Sequence, residues 1–247
     1  MTTTTRPPAG TAPKRPHPLS GRSARWWLIV ALVLGFSALA VLRVVTGADD
    51  LTSSGTIRAT LIALSPIMLA GLGGLWAERA GVVNIGLEGM MILGTYGAGY
   101  FGFTYGAWAG VLGAIAMGMI GGLIHATATV IFGVDHIISG VAINIIALGA
   151  VQYLASLTFI GLPGGGATQS PKIPSLPTIT IGPLSDALGD VEDDNVFLVS
   201  DLASLLRAFC TNLSVLVLIG FALLVLSYVL LWRTSFGLRL RSCGESP

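Results

Sequence analysis

"AWAGVLGAIAMGMIGGLIHATATVIF", residues 107–132, contains no Asp, Glu, Lys or Arg. A helix crosses a hydrocarbon core of ~30 Å with roughly 20 predominantly apolar residues, and this run is longer than that. Its glycine-rich pattern lacks the alternation of a barrel strand, so a helix is the only way to satisfy its backbone away from water. Five further runs of this kind lie at about 26–45, 57–76, 85–104, 137–160 and 213–232. Charged residues make up 10% of the chain and hydrophobic residues 53%, with a mean hydropathy of +0.82; soluble domains carry roughly a quarter charged residues. The expected fold class is all-α, a polytopic transmembrane helical bundle of about six spans.

The net charge of +1 says little about partners by itself, and no nucleic-acid partner is expected; the placement of the charges is more informative. With the N-terminus inside and six spans, Arg6, Lys14, Arg15, Arg22, Arg25, Arg79, Arg233, Arg239 and Arg241 fall on the inner side. Arg43, Arg58, Lys172 and Arg207 fall outside, together with Asp49, Asp50, Asp186, Asp190, Glu192, Asp193, Asp194 and Asp201. This is the positive-inside bias, and it predicts a multi-pass protein of the cytoplasmic membrane with a cytoplasmic N-terminus.

Residues 1–25, rich in Thr, Pro and Arg, are expected to form a disordered cytoplasmic tail. Trp26 and Trp27 then suit the headgroup level. A signal peptide is the rival reading, with Thr46-Gly47-Ala48 as its cleavage site, but Leu28–Val45 exceeds the usual signal core of about 7–15 residues. Residues 26–160 are therefore read as five transmembrane helices. Small residues within them, among them Gly94, Gly97, Gly99, Gly102, Gly106, Gly110, Gly118 and Gly122, predict close helix packing. Residues 161–212 form an external loop; five prolines bar a continuous helix over 161–186, and 187–209 read as one or two short amphipathic helices. Residues 213–232 make the sixth span, and 233–247 begin a cytoplasmic segment broken at Gly237.

Little in the chain can perform covalent chemistry. His17, His125 and His136 lack triad or metal-site spacing, no catalytic pair of carboxylates lies in a span, and Cys210 and Cys243 fall on opposite faces. No catalytic residue, metal or cofactor is expected. Asn84, Glu88, Asn144 and Gln152 are polar residues inside apolar sequence, and such groups face a bundle interior or a wet pathway. For Asn144 and Gln152, hydrogen bonding between helices is the preferred reading. In "ERAGVVNIGLEGMM", residues 78–91, Asn84 reads as a helix N-cap and Glu88 as a carboxylate in the first helical turn, favoured by the helix dipole. Broken helix starts of this kind also build transporter sites.

"GLGGLWAERAGVVNIGLEGMMILGTYGAG" (71–99), "VDHIISGVAINIIALG" (134–149) and "TSFGLRLRSCGESP" (234–247) together resemble the permease subunits of ABC importers. The branch is that for simple sugars, branched-chain amino acids and nucleosides, and the nucleoside type is the nearest. The resemblance implies transport by alternating access, with no catalysis by the permease itself. It implies a cytoplasmic ABC ATPase, a second permease subunit that is a paralogue, an extracytoplasmic solute-binding lipoprotein and a lipid membrane as partners. By resemblance Asn84, Gly86, Glu88 and Gly89 lie near the substrate pathway, and Asn144 is grouped with them. Phe236, Gly237, Leu238, Arg239, Arg241 and Gly244 would couple to the ATPase. The family continues with further spans beyond this segment, so six helices would be the first part of a longer permease. The alternative reading is a secondary transporter or channel without an ATPase partner.

Overall fold

The apolar runs become helices in the computed structural model, which describes residues 20–194 and 196–245. In chain order they are α1 (Ser20–Thr46), α2 (Ser54–Arg79), α3 (Leu87–Tyr105), α4 (Ala107–Ala126), α5 (His136–Thr158), α6 (Gly182–Asp193), α7 (Val199–Cys210), α8 (Val215–Arg233) and α9 (Ser235–Glu245). The expected tail lies outside the described residues as far as residue 19, and helix is already present at Ser20. Two residues each, β1 (Thr178–Ile179) and β2 (Leu213–Ser214), pair antiparallel and tie the irregular part of the long loop to the start of α8. The amphipathic stretch of that loop resolves into two helices, α6 and α7.

Among the described residues five helical segments are long and apolar enough to cross a membrane: Trp26–Thr46, Ser54–Arg79, Ala107–Ile131, His136–Thr158 and Val215–Arg233. The run expected as a span at 85–104 is α3, a helix of 19 residues that is not one of the five. Its sequence carries Glu88 among glycines and tyrosines, and its glycines are packed on a neighbouring helix. Gly97 and Gly102 of α3 are buried against Gly113 and Gly110 of α4. A methyl group at Gly110 would stand 2.9 Å from the Gly102 Cα, so the two backbones are in contact, as helices without a hydrophobic driving force between them require. Gly106 alone joins the two helices, at φ +96°. Gly106 and Gly122, expected in the packing stripe, have open space beside them.

The two ends of the bundle are fastened differently. At one end the short helices α6 and α7 lie over the α1–α2 connection. Arg43, near the end of α1, is buried with its Nε 3.3 Å from the Asp201 Oδ1 of α7. The Thr52 hydroxyl also donates to that oxygen, and the Leu198 amide donates to the other at 3.1 Å. Glu192 of α6 accepts from the Ser54 amide at 2.8 Å and pairs with Arg207 at 2.9 Å. Burial alone would raise the Glu192 carboxyl, but the Ser54 amide and Arg207 outweigh it and hold its pKa below the ordinary value. At the other end α9 folds back on the α2–α3 turn.

Removing the Asp201 carboxylate takes from Arg43 the anion it faces while burial persists. Asp201→Ala should cost ~3–5 kcal/mol of stability, read as a lowered Tm in detergent. The Glu192 contribution is present above the ordinary glutamate pKa of about 4.3 and is lost as pH falls through its lowered value. The Tm of wild type and Glu192→Gln should therefore converge on acidification and differ at neutral pH.

Candidate functional site

The turn between α2 and α3 gathers most of the residues singled out in the sequence. Helix α2 ends at Arg79, and Gly81 reverses the chain at φ +83°, a conformation glycine adopts freely. Asn84 Oδ1 accepts from the Gly86 amide at 3.0 Å, closing a local turn. The residue preceding the helix is Gly86, which brings no capping side chain. The expectation of Asn84 as N-cap is thereby corrected: Asn84 shapes the approach to α3 two residues early.

The cap comes from another helix. Asn144 of α5 accepts from the Gly89 amide at 2.7 Å and donates through Nδ2 to the Ile85 carbonyl at 3.0 Å. One side chain thus satisfies a free N–H in the first turn of α3 and a carbonyl of the turn before it. The close approach needs glycines on both partners. A methyl at Gly86 would stand 3.1 Å from the Gly140 Cα, and one at Gly89 would stand 2.9 Å from the Asn144 Cα. Gly140 was not singled out in the sequence, although it lies four residues before Asn144 and so on the same helical face. Gly86, Gly89 and Asn144 are therefore brought together. Glu88 sits in the first turn of α3, as expected, and is exposed.

The other side of this turn carries α9. A methyl at Gly81 would come within 3.1 Å of the Gly244 Cα, and one at Gly244 within 2.6 Å of the Arg79 carbonyl oxygen. Trp76 of α2 holds the remaining length: its ring lies 6.2 Å from that of Phe236, and its Nε1 donates to Ser227 Oγ of α8 at 3.0 Å. The Arg79 guanidinium lies 5.6 Å from the centroid of the Trp232 ring, a cation–π distance. Gly237, expected as a break, lies inside α9; the chain turns at Thr234 and Gly237 is buried against Leu231. Glycine serves there because a side chain would collide with the backbone of α8. Arg241 Nε reaches back to the Gly237 carbonyl at 3.3 Å, while Phe236, Leu238 and Arg239 are exposed. Trp76, Ser227 and Trp232 were missed as a set, since nothing in a single sequence pairs α2 with α8.

Of the three histidines, His17 lies outside the described residues. His125 Nδ1 lies 3.0 Å from Ser139 Oγ, and its carbonyl accepts from Thr129 at 2.9 Å in the π-helical turn Thr127–Ile131 that follows α4. Among the described residues no group of three or more His, Cys, Asp or Glu is placed to hold a metal ion.

Fold and turn together define a multi-pass membrane protein of closely packed helices. Residues 56–247 match the family described as the branched-chain amino acid transport system permease component, and the chain belongs to that family. It is 37% identical over 198 residues to the guanosine ABC transporter permease protein NupQ of Bacillus subtilis (strain 168), covering 77% of this chain and 56% of that protein. It is 30% identical over 194 residues to the nucleoside ABC transporter permease protein NupC of Lactococcus lactis subsp. cremoris (strain MG1363), covering 76% and 55%. A putative glucose ABC transporter permease protein of Haloferax volcanii is 37% identical over 109 residues, 42% of this chain and 32% of its own length. The chain thus spans just over half the length of the two nucleoside permeases. No solved structure matches.

Asn144→Leu strands the Gly89 amide and the Ile85 carbonyl, at ~1–3 kcal/mol for each group left without water or a partner. Its Tm should fall well below that of Glu88→Gln, which forfeits at most a dipole term of ~0.3–1 kcal/mol. Equal Tm values for the two variants would remove Asn144 as the cap of α3.

Proposed function

We propose that this chain is the permease subunit of an ATP-binding cassette importer, carrying nucleosides or related small polar solutes, with simple sugars next. The observation that carries the reading is the seat of α9 on the α2–α3 turn. An amphipathic helix that exposes Phe236, Leu238 and Arg239 is packed through Gly244 onto Gly81. The same turn is held from its other side by Asn144 of α5. A push on α9 is therefore delivered to the start of α3 and to α5 through backbone contacts that have little slack. This is the linkage an importer needs between a nucleotide-driven partner and a substrate pathway.

In this reading the α9 end is cytoplasmic, as is the N-terminus, and the α6–α7 end faces outward. A cytoplasmic ABC ATPase docks on α9 through Phe236, Leu238, Arg239 and Arg241, with Gly237 and Gly244 letting the helix lie close. That partner performs the hydrolysis; the permease supplies a path and two positions of its helices. A second permease subunit, a paralogue, completes the path, and a solute-binding lipoprotein delivers to the α6–α7 face. Asn84, Gly86, Glu88, Gly89 and Asn144 lie where the movement of α9 meets the path, and exposed Glu88 is the polar group among them free to face solute.

The test is uptake of labelled nucleoside by cells with and without the gene in its full context, beside simple sugars. Nucleoside uptake should depend on the gene; unchanged uptake of both solute classes would overturn the reading. Arg239→Ala, exposed and outside the packing, should leave membrane assembly intact and abolish most substrate stimulation of ATPase activity in the purified complex.

A further inference from the structure

Gln152 and Asn144 lie on one face of α5, two turns apart, and their amides are used differently. Both functional groups of Asn144 are bonded, the oxygen to the first turn of α3 and the nitrogen to the turn before it. The Gln152 amide has no hydrogen-bond partner among the described residues, so the bond between helices expected of it is not made within them. It lies within the span His136–Thr158, where an unpartnered polar group is costly unless it faces water or a ligand.

Gln152 is exposed, and it lines an open cavity of about 340 Å³ together with Thr95 and Tyr96 of α3, Phe159 at the α5 end, and Gln169 and Ser170 of the long loop. That volume stands at the low end of the roughly 300–1,000 Å³ of small-molecule sites. Part of the wall is closely packed. Phe159 is buried, and its ring lies 5.8 Å from that of Tyr96, which stacks on Tyr100 at 6.1 Å. The roof is a tight reversal in which Gly166 and Gln169 exchange backbone hydrogen bonds of 2.8 and 3.4 Å, and Gln169 Nε2 donates to the Gly164 carbonyl at 3.1 Å. Ser170 is pressed on α3, where a methyl at Gly99 would stand 2.9 Å from its Cβ.

Its chemistry narrows the ligand. Among the described residues no charged one lines the cavity, so a phosphate or a zwitterionic amino acid finds no counter-charge from them. An amide presents a donor and an acceptor side by side, the complement of a nucleobase edge. A tyrosine ring offers a face on which any flat heterocycle can stack. We propose that this cavity is a subsite for the base of an uncharged nucleoside, with Gln152 reading the edge of the base and Tyr96 its face. The proposal rests on the importer reading above and adds to it the position and chemistry of a solute contact.

The test uses the full chain with its partner subunits in cells, with labelled guanosine and adenosine as probes and leucine as competitor. Gln152→Leu and Tyr96→Leu should each raise the half-saturating nucleoside concentration about tenfold, the loss expected for one amide or stacking contact, at unchanged membrane abundance. Gln152→Glu replaces the amide donor by a second acceptor, which suits the two adjacent N–H donors of guanine. It should shift the guanosine-to-adenosine uptake ratio about tenfold toward guanosine, a ratio independent of how much protein reaches the membrane. Wild-type uptake of nucleosides with an unmoved ratio in Gln152→Glu would overturn the subsite and leave the importer reading standing. Wild-type cells that take up no nucleoside would overturn both, and competition by leucine at equal concentration would overturn the exclusion of charged solutes.

Discussion

A backbone that leaves one helix and starts another inside a membrane protein must have its polar groups satisfied by protein. The turn between α2 and α3 meets this demand by borrowing the Asn144 side chain from α5. Because that amide bonds a donor on one side of the break and an acceptor on the other, it sets both where α3 begins and how near α5 must lie. The glycines at 86, 89 and 140 follow from it: with larger residues the amide would not reach. The packing of α3 on α4 then continues the same close approach along the helix, so the middle of the bundle is set by backbone contact more than by side-chain volume.

The two ends of the bundle use different physics. At the α6–α7 end, charges are buried in ion pairs and charge-assisted hydrogen bonds, with Asp201 shared between Arg43, Thr52 and the Leu198 amide. Buried pairs of this kind cost desolvation and give geometry in return, which suits a region that has to stay in one shape over the mouth of a bundle. The α9 end is joined by aromatic rings, one cation–π contact and glycine-to-backbone packing. Such contacts are less directional, and a helix seated by them can tilt without an ion pair first having to break.

The fold was legible in the sequence wherever a single segment decides its own state. Apolar length located α1, α2, α4, α5 and α8 to within a few residues, and proline and charge set the long loop apart. α3 was legible as a helix but less well as a span, because its glycines are spent on neighbours that no local window sees. The site was legible in its residues and much less in its wiring. Asn84 was placed at a cap that Gly86 occupies, since the rule for side-chain caps assumes that the cap lies in the same chain segment. Gly237 was read as a break when it is a point of contact, for glycine marks both. Asn144 was correctly read as bonding between helices, whereas Gln152 makes no such bond among the described residues, and only the arrangement in space distinguishes the two amides.

The single-residue link at Gly106 bears on how the chain enters its membrane. Helix α3 is interrupted by glycines, tyrosines and Glu88 and is not among the five helices long and apolar enough to cross a membrane, while α4, one residue away, is. Joined by so short a turn and fitted backbone to backbone, the two present themselves to the bilayer as a hairpin, and the apolarity of α4 serves for both. The contacts involved are local in sequence, the kind that form early. Insertion of this region is then an event of a pair, and the loosely apolar helix is never required to cross alone.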